Sequence, residues 1–139
     1  PLCFFVHIDE LNKAIATITQ TKMSTRKRLK VSCKIWIEYD GKPVLGKGGA
    51  KILEQIEKEE SISKAAKKLD MSYRYVWSYL QKIEKTIGEP IVETYRGGKS
   101  GGGGAKLTRL GKSLLGKYKH AETRMSGALA EAKHWESFK

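Results

Sequence analysis

The chain has 139 residues, enough for one compact domain, and 40% of them are hydrophobic, which excludes wholesale disorder. Its 27 Lys and Arg against 15 Asp and Glu leave a formal net charge of +12, so a polyanion is the expected partner, either nucleic acid or an acidic membrane surface. No apolar run approaches the ~18 residues of a membrane span. Cys3 and Cys33 are too few for a disulfide framework, in keeping with a reducing, cytoplasmic setting.

Met23-Ser24-Thr25-Arg26-Lys27-Arg28 reads like a translation start, so residues 1–28 are expected to be an extension outside the fold. The domain is expected over residues 29–118. From Leu29 the pattern has period two: Val31, Cys33, Ile35, Ile37 and Tyr39 alternate with polar positions, as in a half-buried strand. Cys33 then falls on the apolar face and is expected in the core. Asp40-Gly41 supplies a tight turn, and Pro43-Val44-Leu45 a short return strand. Gly46-Lys47-Gly48-Gly49 leads into a helix over about 49–59, with Ile52, Leu53 and Ile56 inward.

Charge then concentrates. Residues 61–112 hold eleven Lys and Arg against four Asp and Glu, a net of +7, so this block is expected to carry the function. Ser61 is a good N-cap for a helix with Ile62, Ala65, Ala66 and Leu69 at helical spacing, and two alanines let a second helix approach closely. Ser72 caps that second helix after a turn at Leu69-Asp70-Met71. A short helix, a tight turn and a longer helix form the helix-turn-helix pattern.

At 100° per residue, Val76, Leu80, Ile83 and Ile87 share the buried stripe of the helix over about 72–87. Opposite them lie Arg74, Ser78, Gln81 and Lys85, flanked by Tyr75 and Lys82 on one side and Trp77 on the other. Major-groove reading uses such residues: Arg bonds guanine bidentately, Gln bonds adenine, and aromatic edges meet thymine methyls or the sugar. Because the first two turns reach base edges, Tyr73, Arg74, Trp77 and Ser78 are the leading candidates, with Ser61, Ser63, Ser72, Tyr75 and Lys82 around them. Tyr73 also fits a core tyrosine, and Trp77 also fits a dimer interface. Both readings stay open.

Gly88-Glu89-Pro90 ends the helix. Ile91 to Tyr95 and Ala105-Lys106-Leu107 read as two short strands joined by a glycine-rich loop, the wing of a winged helix. Arg96, Lys99, Lys106 and Arg109 gather there, where a phosphate backbone or minor groove would pass. A flexible linker is the alternative. A phosphate-binding loop fails on spacing, because the glycine required five positions before Gly98-Lys99 is Glu93, and before Gly111-Lys112 is Lys106.

Thr108 caps a last helix expected to run to about 136. Leu110, Leu114, Tyr118, Ala121, Met125, Ala128, Ala132 and Trp135 recur along it at steps of three and four. The stripe is longer than a small domain buries, so a homodimer is expected through it, with residues 119–139 as its C-terminal end. The alternative is a helix packed along its own chain. His7, His120 and His134 lack partners at ligand spacing, and no catalytic motif occurs, so neither a metal site nor an enzyme is expected.

Several stretches carry a resemblance. These are Ser61-Ile62-Ser63-Lys64-Ala65-Ala66, Met71-Ser72-Tyr73-Arg74-Tyr75-Val76-Trp77, Glu93-Thr94-Tyr95-Arg96-Gly97-Gly98-Lys99, the glycines at 101–104 and Leu107-Thr108-Arg109-Leu110-Gly111. From Gly46 to about Tyr118 the chain resembles the DNA-binding domain of the ModE family of molybdate-responsive transcription regulators, itself similar to the winged helix of LysR-type regulators. The resemblance implies a homodimeric regulator of double-stranded DNA. Ser72, Tyr73, Arg74, Trp77 and Ser78 would lie in its recognition helix, and Arg96 to Gly104 in its wing. Two-domain members sense molybdate in a separate C-terminal region. This chain stops at Lys139, too soon after Tyr118 for that region, so neither molybdate nor tungstate sensing nor another cofactor is expected within it.

The expected fold is therefore mainly α with a small β component (α+β): a winged helix-turn-helix with an N-terminal β-hairpin and a long C-terminal dimerisation helix. The expected function is sequence-specific binding of double-stranded DNA in transcription regulation. The rival readings are a protein-interaction winged helix and a non-specific architectural DNA binder.

Overall fold

A computed structural model describes residues 31–96 and 103–131. Strands β1 (Trp36–Tyr39) and β2 (Lys42–Gly46) form an antiparallel hairpin around Asp40 and Gly41, both with positive φ. Helix α1 (Lys47–Glu59) follows directly, then α2 (Ile62–Lys68) and α3 (Tyr73–Ile87). A second antiparallel hairpin, β3 (Val92–Tyr95) with β4 (Gly104–Leu107), leads into α4 (Arg109–Glu131). This is the winged helix expected from the sequence, preceded by its N-terminal hairpin.

The first strand is shorter than its alternation predicts. Residues 31–35 take no regular structure, Val31 is exposed, and Cys33 is exposed, not in the core. The partner strand explains this. Trp36 pairs with Gly46, the last residue before α1 begins, so nothing remains for earlier residues to pair with. Pro43 adds a register shift between Ile37 and Glu38, as expected of a residue with no N–H to donate. Ile35 and Ile37 still pack on the core, while Tyr39 stays exposed.

The helix-turn-helix has local causes. Ser61 Oγ accepts the Lys64 N–H (3.3 Å) and Ser72 Oγ accepts the Tyr75 N–H (3.1 Å), so both serines cap their helices. Between them, Leu69 N–H donates to Ala65 and Ala66, and Met71 N–H to Ala66 (2.9 Å), while Asp70 takes φ +54°. Ala65 and Ala66 are buried, which lets α2 lie against both α1 and α3.

The core draws on every element but β1 and β3. Leu45 comes from β2, Ile52, Leu53 and Ile56 from α1, and Val76, Leu80 and Ile83 from α3. Ile91 joins them with Ala105 and Leu107 of β4 and Leu114, Leu115 and Tyr118 of α4. Glu54 on α1 binds Lys58 (3.1 Å) and Lys119 of α4 (3.0 Å), and these two ammonium groups hold its carboxyl below the usual carboxylate range.

Helix α4 corrects part of the expected dimer stripe. Leu114 and Tyr118 are buried within the chain's own core and Leu110 packs against it. These three have their cover already, because α4 lies along α1 and both hairpins. Ala121, Met125 and Ala128 remain exposed. Ala132 and Trp135 lie outside the described residues, as do residues 1–28. The helix passes residue 118 without a break.

Candidate nucleic-acid interface

Helix α3 buries Val76, Leu80 and Ile83 of the stripe that its sequence predicts and half-buries Ile87, and that burial decides which side chains are left outward. Arg74 and Ser78 are exposed on the opposite face. Tyr73 is 50% exposed, which removes the core reading for it. Its ring stacks on that of Trp77, one turn along, with centroids 6.2 Å apart and planes within 10°. Trp77 is itself 37% exposed, and Tyr75 and Lys82 are exposed on the other flank.

Glu84 is the one acidic residue in this helix, and sequence reasoning left it unassigned. Its Oε1 accepts the N–H groups of Ile91 (2.9 Å) and Val92 (3.2 Å), and its Oε2 accepts from Gln81 Nε2 (3.0 Å). The carboxylate is thus turned onto the entry to β3, tying the wing to α3. Gln81, which the sequence places opposite the apolar stripe, is held beside it. The signal was present in the sequence as a lone acid near an apolar stripe.

The wing is fixed at its base. Across the β3–β4 pair Tyr95 stands opposite Gly104, and its ring covers the space where a Cβ at Gly104 would project. Lys106 Nζ sits over that ring (5.6 Å to the centroid) and 3.8 Å from Glu60. Ala105 N–H donates to the Glu60 carbonyl (2.8 Å), joining β4 to the end of α1. Glu60 closes α1 in the left-handed region, φ +48°. Arg96 is exposed where β3 ends, and Lys99 lies outside the described residues.

Thr108 joins the wing to α4. Its hydroxyl donates to the Pro90 carbonyl (2.9 Å) and accepts the Gly111 N–H (3.1 Å), and its own N–H donates to Ile91 (3.0 Å). Gly111 lies so close to the Ile91 carbonyl that a Cβ there would strike the oxygen. Arg109 is exposed at the first residue of the helix.

Among the described residues the ion pairs are Lys58–Glu54, Lys119–Glu54 and Lys106–Glu60. Arg74, Lys82, Arg96 and Arg109 take no part in them. None of the four helices has an acidic residue in its first turn, so the positive ends of their dipoles are not offset there. Ser63, also a candidate, is exposed on α2, whereas Ser61 and Ser72 spend their side-chain oxygens on caps.

Among the described residues no three His, Cys, Asp or Glu side chains gather as metal ligands would, and no helix is long and apolar enough to cross a membrane. The arrangement offers hydrogen-bond donors, aromatic surface and cations.

Residues 50–112 match the family described as bacterial regulatory helix-turn-helix protein, lysR family. The molybdenum transport protein ModE of Azotobacter vinelandii is 35% identical over 79 residues, which are 57% of this chain and 29% of that protein. The transcriptional regulator ModE of Yersinia pestis is 42% identical over 67 residues, 48% of this chain and 25% of that one. The chain therefore spans between a quarter and a third of the length of these relatives. Among solved structures, the BenM_DBD/benA site 1 DNA complex aligns with a TM-score of 0.49 at 20% identity, covering 65% of this chain and 94% of that one.

Proposed function

We propose that this chain, whose residues 50–112 form a LysR-type helix-turn-helix domain, is a sequence-specific double-stranded-DNA-binding transcription regulator. Helix α3 enters the major groove and the β3–β4 wing lies on the backbone or minor groove. The observation that carries this reading is the outward face of α3. Arg74 and Ser78 stand free there beside exposed aromatics, and the helix's only carboxylate is turned away onto the wing. Arg74 reads a base edge, while Arg96 and Arg109 neutralise phosphates. Like-charged groups without partners repel one another, and a phosphate backbone is the ligand that relieves this with the least specificity of shape. The exposed Ala121, Met125 and Ala128 of α4 pair two copies, presenting two recognition helices to two half-sites. The regulator works in the cytoplasm, where its DNA is.

Selection of preferred duplexes from a random library, followed by titration of the winners and of bulk DNA over a range of salt, tests the proposal. Specific sites should bind roughly 10³-fold or more tighter than bulk DNA, with affinity falling steeply as salt rises. Equal affinity for all duplexes would make the chain an architectural binder. Absence of duplex binding at low salt would turn the basic face over to an acidic protein partner.

A further inference from the structure

We infer that Tyr73 and Trp77 act as one apolar platform that reads thymine through its 5-methyl group, a role that rests on α3 being the recognition helix. Two large rings half in water are costly to leave there, at ~25 cal/mol for each Å² of apolar surface, and contiguous exposed apolar surface marks a contact to a partner. Here the two rings are also fixed to one another, stacked at 6.2 Å with planes 10° apart. Such a pair is already ordered and loses little conformational freedom when something docks on it. Its position is specific as well. Residues 73 and 77 occupy the first two turns of α3, the part of a recognition helix that reaches base edges. Arg74 and Ser78 follow them directly in sequence, so donors and apolar surface lie side by side.

Of the four bases, thymine alone shows a methyl group in the major groove, and the other edges there are polar. The charge around the rings selects the class of partner. Arg74 is unpaired among the described ions, and Glu84, on the same flank as Trp77, is committed to the Ile91 and Val92 amides. An apolar platform beside free cations suits a polyanion carrying methyl groups. A thymine-containing duplex is that polyanion.

Substitution of 2′-deoxyuridine for each thymine of a selected duplex, one at a time, deletes only the methyl. Fluorescence anisotropy with the full chain should show about a four-fold loss of affinity at one or two positions, matching ~0.8 kcal/mol for one methyl-sized group buried. At those positions Trp77→Ala and Tyr73→Ala should bind the thymine and uracil duplexes alike, and Tyr73→Phe should keep the difference. Circular dichroism checks that α3 persists in each variant. The inference is overturned if no position distinguishes thymine from uracil, a result that needs no variant. It is equally overturned if both alanine variants keep the distinction, or if Trp77→Ala merely separates two copies in sedimentation while thymine is still read. In each of these cases specific DNA binding itself stands. If no duplex is preferred over random DNA, the DNA-binding reading fails first and this one with it.

Discussion

Arg74 leaves α3 at its second residue, with its guanidinium in solvent and no carboxylate to hold it. Such a side chain is free to form a bidentate pair with guanine. Arg74→Ala is therefore expected to cost about 1–3 kcal/mol of binding and to relax preference at one base pair, measured against a panel of single-base variants. Uniform weakening across the panel would make it a phosphate contact. Gly111 belongs to the same scale. Alanine there gains up to ~1 kcal/mol of helix propensity, but its Cβ would strike the Ile91 backbone oxygen, which cannot rotate away. Overpacking of this kind costs about 1–3 kcal/mol, so Gly111→Ala should lower the urea midpoint. Arg74 was legible from its place opposite the apolar stripe, and Ser61 and Ser72 from their cap positions. Gly111 was not, because helical spacing says nothing of how near a distant carbonyl comes. Cys33 was misread for a related reason: alternation fixes a face only where a partner strand exists.

Between elements, Glu84 links α3 to the wing. Removing it strands two partly buried N–H groups that now share a charged acceptor. An unmet buried donor costs about 1–3 kcal/mol. Glu84→Ala should lose stability in that range and speed hydrogen exchange at Ile91 and Val92 while the α3 amides stay protected. Glu84→Gln, which keeps a carbonyl oxygen, should lose less. Unchanged exchange in both variants would mean that the Thr108–Pro90 contact suffices to hold the strand. Helix existence and order were legible here, because caps, small residues and glycine stops are local signals. The bond from Glu84 to β3 spans seven and eight residues across a turn, beyond what periodicity reports.

At the scale of the molecule, α4 divides its apolar residues between the core and the solvent. Leu114, Leu115 and Tyr118 close the core, and Met125, 39% exposed, stands beyond it with Ala121 and Ala128. A stripe of period three and four looks the same whether its own chain or a second copy covers it, so the sequence could not divide it. If the distal part pairs two copies, Met125→Asp should yield a monomer by analytical ultracentrifugation. The core should remain intact, and binding should drop on a two-half-site duplex more than on a single half-site. An unchanged mass would place the interface elsewhere.

Asp40, Glu60 and Asp70 all hold left-handed backbone, at φ of +48°, +48° and +54°. Each is a place where glycine would remove about 1 kcal/mol of local strain, so all three are obvious targets for making a hardier protein. All three are also acidic, and replacing Glu60 would release Lys106 from its ion pair. A heat-resistant variant built this way would have a net charge three units more positive and, if the chain binds DNA as proposed, would hold any duplex more tightly. Under the proposed function, thermal robustness and target discrimination are therefore coupled in this chain, and asparagine at these sites, equally uncharged, would not uncouple them.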